Sequence, residues 1–172
     1  MFKGEKAYLR QLEEKDVHTL LLWENDTANW RFSETEAPIS IFEMKAYIES
    51  ASQVRQTQQL RLIICKNDDN SAIGTVDLFE IDFKHKRAGI GILIAEKVNR
   101  QQGFAREALM LIETYAREVL ELDQFYCNIQ EDNKASIQLF ENSGYIRTGT
   151  KKNWYKYRDQ TIDAYFYQKF IN

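Results

Sequence analysis

Apolar positions recur along this chain with two different periods, and the places where the period changes mark out the elements. Residues 6–10 suggest a short first strand. The acidic run Glu13, Glu14 and Asp16 then opens a helix whose apolar positions are Val17, Leu20, Leu21 and Trp23. Acidic residues in a first turn suit the positive end of the helix dipole. Residues 25–29 break this pattern, and 30–38 form an irregular loop holding the only proline, Pro38. Ser40 and Glu43 are spaced as a capping box that starts a second helix.

Strands are expected next at 60–66, at 72–83 after the turn 67–70, and at 90–94 after the polar break 84–87. Three sequential strands joined this closely form an antiparallel meander. The third, Ile90-Gly91-Ile92-Leu93-Ile94, is short and rich in β-branched residues, as a buried strand should be. A polar turn follows it, and then Ala105, Ala108, Leu109, Ile112, Ala116, Val119 and Leu120 share one face of a helix. A strand at 124–129 precedes a helix that Asn133 can cap and that runs to Asn142, stopped at Gly144. Residues 145–150 and 161–170 are the last strands, joined across 157–160.

A length of 172 residues fits one domain spanning 1–172 with a sizeable core. The net charge of −3 gives no basic face for nucleic acid. No apolar run approaches the roughly 20 residues of a membrane span, and the first residues have no apolar signal region, so a cytoplasmic protein is expected. Cys65 and Cys127 sit in apolar strand-like runs as small buried thiols. With His18 and His85 as the only histidines, no metal site is expected.

Between strand and helix, Gly103 and Ala105 leave room at a helix start, where unpaired N–H groups and the dipole attract an anion such as a phosphate. Arg100 and Arg106 would add charge-assisted donors. An ordinary βα connection, its glycine easing the turn, explains the same residues.

Arg100-Gln101-Gln102-Gly103-Phe104-Ala105 resembles the pyrophosphate signature (Q/R)-x-x-G-x-(G/A) of the GNAT superfamily of acyl-CoA-dependent N-acetyltransferases. Residues 133–145, from Asn133 through Ser136 and Phe140 to Tyr145, resemble that family's second signature, N-x-x-(A/S)-x-x-L-(Y/F)-x-x-x-G-(F/Y). The element order is also that of the GNAT fold. The resemblance implies an α+β fold with a mixed, mostly antiparallel central sheet flanked by helices. In that fold the strands ending at Ile94 and Ile129 splay apart to take acetyl-CoA as co-substrate. It places cofactor contacts at Ile92, Leu93, Ile94, Arg100, Gln101, Gln102, Gly103, Phe104, Ala105, Arg106, Asn133, Ser136 and Phe140.

Within the superfamily, residues 74–82 with Lys86-Arg87-Ala88 look most like bacterial spermidine N-acetyltransferases, and next like the N-terminal acetyltransferases of ribosomal proteins. Two positions depart from the polyamine enzymes: Gly89 replaces a glutamate that meets the substrate, and Phe140 replaces a proton-donating tyrosine. The implied reaction is direct attack of a primary amine on a thioester. An alkylammonium with a pKa near 10.4 must first lose a proton. Glu80, then Asp77, are the candidate bases, although either can simply decorate a solvent-facing strand. Glu34 and Glu36 in the irregular loop are candidate contacts for a small-molecule polyamine. A non-catalytic acetyl-CoA-binding regulator would show the same signatures. A homo-oligomer is compatible with all of this; a nucleic-acid or membrane partner is not expected.

Overall fold

In the computed structural model, which describes residues 2–33, 35–157 and 159–171, the strands join into one eight-stranded sheet. Its elements in chain order are β1 (Phe2–Lys3), β2 (Ala7–Gln11), α1 (Val17–Glu24), α2 (Thr27–Trp30), α3 (Ile41–Ser50), α4 (Val54–Thr57), β3 (Leu60–Lys66), β4 (Ala72–Asp82) and β5 (Arg87–Ile94). They are followed by α5 (Phe104–Glu118), β6 (Gln124–Gln130), α6 (Lys134–Asn142), β7 (Ile146–Tyr157) and β8 (Gln160–Phe170). The spatial order is β1-β2-β3-β4-β5-β6-β8-β7. Every neighbouring pair is antiparallel except β5 with β6.

The meander forms as the period-2 pattern requires, with β3, β4 and β5 in sequence. Side chains alternate between the two faces of a strand, so each strand feeds two layers. On one face Ala88, Ile90 and Ile94 of β5 join Phe125, Cys127 and Ile129 of β6 beneath Ala108, Leu109 and Ile112 of α5. On the other face a smaller cluster, Val17, Leu20, Met44, Ile63 and Cys65, packs α1 and α3 against β3. Both thiols are buried and free. Burial of Cys127 in this apolar layer pushes its thiol above the ordinary range.

The caps are where the side-chain chemistry puts them. Ser40 Oγ accepts the N–H of Glu43 at 3.2 Å while the Glu43 carboxylate accepts that of Ser40 at 2.8 Å. Asn133 Oδ1 accepts the N–H of Ser136 at 3.2 Å. Gly144, at φ +86°, follows the end of α6 in a conformation that side chains resist.

Three local details depart from the sequence pattern. Asp26 caps a one-turn helix, α2, inside the stretch expected to be irregular, because its carboxylate accepts the N–H of Ala28 at 2.9 Å. The expected strand 145–150 continues to Tyr157, since two register shifts carry its polar residues along β8. The first helix begins one 3-10 turn later than its acidic residues, at Val17.

Candidate active site

The parallel pair β5/β6 holds for only three rungs, Arg87↔Gln124, Ala88↔Phe125 and Gly89↔Tyr126. Beyond them β5 stays paired with β4 as far as Ile94, and β6 with β8 as far as Gln130. The edge of Ile90 to Ile94 that faces β6 therefore has no strand partner, and the sheet opens as a fork. Main-chain groups along such an edge must find partners elsewhere, so a ligand that brings amide groups or a polarised carbonyl can use them.

At the open end of β5 the chain turns into α5. Gln101 at φ +60° and Gly103 at φ +90° bend it sharply, and Gly103 is the residue before the first helical turn. Arg100 spends part of its guanidinium inside the protein, donating from Nε to the Ile94 carbonyl and from Nη2 to that of Ala95, both at 2.9 Å. It thereby fixes the end of the splayed strand to the turn. Phe104 is buried, Ala105 half-buried, and Gln101, Gln102 and Arg106 are exposed around the helix start.

Lys6 joins this turn from the other end of the chain. Its Nζ donates to the Gln102 carbonyl at 3.0 Å and lies 3.6 Å from where a Gly103 Cβ would be. Glu107, in the first turn of α5, holds Lys6 there by accepting the N–H groups of Glu5, Lys6 and Ala7 at 2.7, 3.0 and 2.7 Å. No local pattern around Lys6 points to such a role, because the contact spans about a hundred residues.

The opposite face of the fork has a bare floor. At Gly89 a Cβ would lie 2.1 Å from the ring of Phe79, so no larger side chain fits here without moving that ring. Phe79 meets Tyr126 edge-on at 6.3 Å, and Tyr126 meets Phe166 at 5.7 Å. The Tyr126 hydroxyl donates to the carboxylate of Glu80. Partial burial, then this bond, raise the tyrosine well above its ordinary range and keep it protonated.

Glu80 itself is exposed, at φ +48°, in the register shift between Phe79 and Asp82. The bulge turns its side chain out of the ladder, as bulges do where a side chain is re-aimed. Asp77 is placed differently. Its carboxylate takes Nε of Arg61 and the Thr75 hydroxyl, and Arg61 also reaches Glu24 at 2.5 Å. Asp77 is thus bound into an ion-paired cluster, which leaves Glu80 the freer of the two carboxylates.

The remaining assigned residues divide. Phe140 is buried, its ring edge-on to Tyr145 at 4.9 Å, and Tyr145 donates to the buried Glu113 at 3.0 Å. Phe140 therefore belongs to the core under the fork. Asn133 and Ser136 form the cap of α6, just past the end of β6. Glu36 is exposed in the loop before α3, and Glu34 lies outside the described residues. That loop is tied over the end of β6, because the Arg31 carbonyl accepts from Gln130 Nε2 at 2.8 Å and from the Tyr157 hydroxyl.

No helix among the described residues is long and apolar enough to cross a membrane. Among them no group of three or more His, Cys, Asp or Glu could hold a metal ion.

Known proteins share this architecture. Vibrio cholerae spermidine N-acetyltransferase, solved in complex with CoA and spermine, superposes with a TM-score of 0.82 at 22% identity over 95% of each chain. In sequence, a Vibrio cholerae spermidine N(1)-acetyltransferase is 28% identical over 89 residues, which is 52% of this chain and 51%, about half, of that protein. The Drosophila melanogaster alpha/beta-tubulin-N-acetyltransferase 9 is 24% identical over 170 residues, 90% of this chain and 79% of the relative. Residues 6–146 match the family model of the acetyltransferase (GNAT) domain. The chain belongs to the GNAT family and is an acetyl-CoA-dependent N-acetyltransferase.

Proposed function

We propose that this enzyme moves the acetyl group of acetyl-CoA to a primary amine of a small polycation of the spermidine type, by direct attack in a ternary complex. The observation that carries the reading is the fork: an anion-binding turn on one side and, on the other, an exposed carboxylate, Glu80, held by Tyr126 beside an aromatic row. Arg100 to Arg106 with Lys6 receive the pyrophosphate, and Asn133 and Ser136 border the far side of the cofactor. The splayed edge of Ile92, Leu93 and Ile94 offers main-chain donors to the thioester carbonyl.

Glu80 accepts the proton that the alkylammonium must lose. The neutral nitrogen then forms a C–N bond to the acetyl carbon, the C–S bond breaks, and the sulfur leaves as a thiolate that takes up the second proton as the nitrogen becomes an amide. Phe140 has no proton to donate, and a thiol pKa near 8.5 makes that departure tolerable unaided. Aromatic faces beside a carboxylate also favour a cation. Glu36, with Glu34, supplies the carboxylates for the rest of the polycation.

Thiol release from acetyl-CoA across a panel of amines tests this. Spermidine should be turned over better than a simple monoamine, and added salt should raise its KM. Glu80→Gln should lower kcat about 10²–10⁴-fold, whereas Asp77→Asn should leave it within a few-fold. Full activity in Glu80→Gln would remove Glu80 as the base.

A second reading is favoured by the wall of the groove beyond the closed end of the fork, about 490 Å³. Gln58, Gln124 and Gln168 line it, and Asp82 is paired with Arg87. Side-chain amides suit the backbone of a peptide whose N-terminal amine lies at Glu80. Turnover of such peptides above spermidine would select that acceptor.

A further inference from the structure

Past the Gly89↔Tyr126 rung, the next two residues of β6 on the face of Tyr126 are Asn128 and Gln130. Carrying the register on would set them opposite Gly91 and Leu93, across the open fork. Gln130 is 6% exposed, and its Nε2 donates to the Arg31 carbonyl at 2.8 Å and to the Tyr157 hydroxyl at 2.6 Å. A carbonyl oxygen only accepts, so this bond fixes which end of the amide is nitrogen. The other end, Oε1, is buried and meets no donor, and neither does the buried Oδ1 of Asn128.

An unpaired buried acceptor has given up its water without a replacement, and native proteins keep few of them. Among the described residues there are four such atoms; the other two, on Asn67 and Ser71, lie at the turn between β3 and β4. Two on one strand, on the sheet face that also carries Tyr126, point to a ligand that brings N–H groups.

Resting on the acetyl-transfer reading above, we propose that Asn128 and Gln130 accept hydrogen bonds from the acceptor amine and position its nitrogen for attack. A primary amine has hydrogens to give and a lone pair to aim. Neutral carbonyl oxygens hold the hydrogens without taking a proton, which leaves proton removal to Glu80. Along a strand the side chains of Tyr126, Asn128 and Gln130 stand about 6.6 Å apart, a spacing close to that of nitrogens in an aminopropyl or aminobutyl repeat. The pantetheine amides of acetyl-CoA are the other source of N–H groups at a fork, and the test separates the two.

Steady-state kinetics with the best amine of the panel, and calorimetry with acetyl-CoA, are run on the whole chain. Asn128→Leu should raise the amine KM at least tenfold and leave the acetyl-CoA Kd within twofold. Asn128→Asp keeps an acceptor oxygen and adds a charge, so its KM should stay at or below the parent's; a purely structural asparagine would make both variants alike. Should Asn128→Leu fold poorly, the Asp variant still decides, since a raised KM there contradicts the proposal. Gln130→Met should raise KM more than Tyr157→Phe, which also loosens the Arg31 loop; equal effects would reassign Gln130 to holding that loop. An unchanged KM in Asn128→Leu overturns the proposal while leaving the enzyme reading intact, and a parallel loss of acetyl-CoA affinity gives these oxygens to the cofactor. A parent that acetylates no amine withdraws both.

Discussion

On the helix side of the fork, Phe125, Cys127 and Ile129 of β6 lie with Ala88, Ile90 and Ile94 of β5 in a continuous apolar layer under α5. One residue along on each strand, the other face carries Gly89, Gly91, Tyr126, Asn128 and Gln130, with glycines, an aromatic row and polar side chains in place of a core. The same strands build both faces, and only the alternation of side chains separates them. The packed face holds the α5 N-terminus where an anion can reach it. The bare face leaves room for an acceptor, and its polar groups find partners from distant parts of the chain. On the roles proposed above, cofactor and acceptor recognition fall on separate sets of residues, so mutations should separate them too.

The largest effect is expected at the turn. Gly103→Glu puts a side chain at φ +90° and a negative charge at the helix start proposed to receive the pyrophosphate. The acetyl-CoA Kd should rise at least about a hundredfold, or about 2.7 kcal/mol. Calorimetry showing parent-like affinity would move the cofactor elsewhere.

Gly89→Ala tests the other face. Its Cβ collides with the Phe79 ring, so stability should fall by about 1–3 kcal/mol in urea titration and the amine KM should change as the aromatic row shifts. Acetyl-CoA affinity should stay near the parent's. If it falls instead, the two faces are not independent.

Asn133→Ala sharpens the comparison on the cofactor side. Loss of the α6 cap should cost about 0.5–2 kcal/mol of stability. A further drop in acetyl-CoA affinity would show that the cap also borders the cofactor, and full affinity would leave it only the capping role.

The smallest effect is alkaline. Burial and then hydrogen bonds raise Tyr126 and Tyr167, the latter to about 12 through burial and its bond to Glu141. Raised tyrosines bind their protons more tightly in the folded chain, so the contribution is whole below the unfolded value near 10 and is lost as pH rises through the folded one. Urea midpoints should begin to fall near pH 10 and keep falling to about pH 12, and Tyr167→Phe should flatten that slope. Both faces should respond, since Tyr167 lies on the helix side and Tyr126 on the other.

The pattern of apolar residues was enough for the meander and the α5 amphipathic face, and polar cap residues for the helix starts at Ser40 and Asn133, because each depends on neighbours a few residues apart. The strand-to-helix turn at Gly103 was equally legible, since that glycine and its flanking strand and helix are contiguous. What the tertiary structure decided is who meets whom across the sheet. Asp77 and Glu80 look alike as acidic residues on one strand, yet Arg61, sixteen residues earlier, binds the first, and a bulge with Tyr126, forty-six residues later, presents the second. Lys6 reaches the turn before α5 from the far end of the chain, where Glu107 gathers three N–H groups around it. Asn128 and Gln130 carry no local signal either: an amide on a strand becomes a buried, unpaired acceptor only when the neighbouring strand turns away. Short-range periodicity encodes elements and turns, whereas the charge and hydrogen-bond state of a side chain is set by partners that folding alone brings within 3 Å or so.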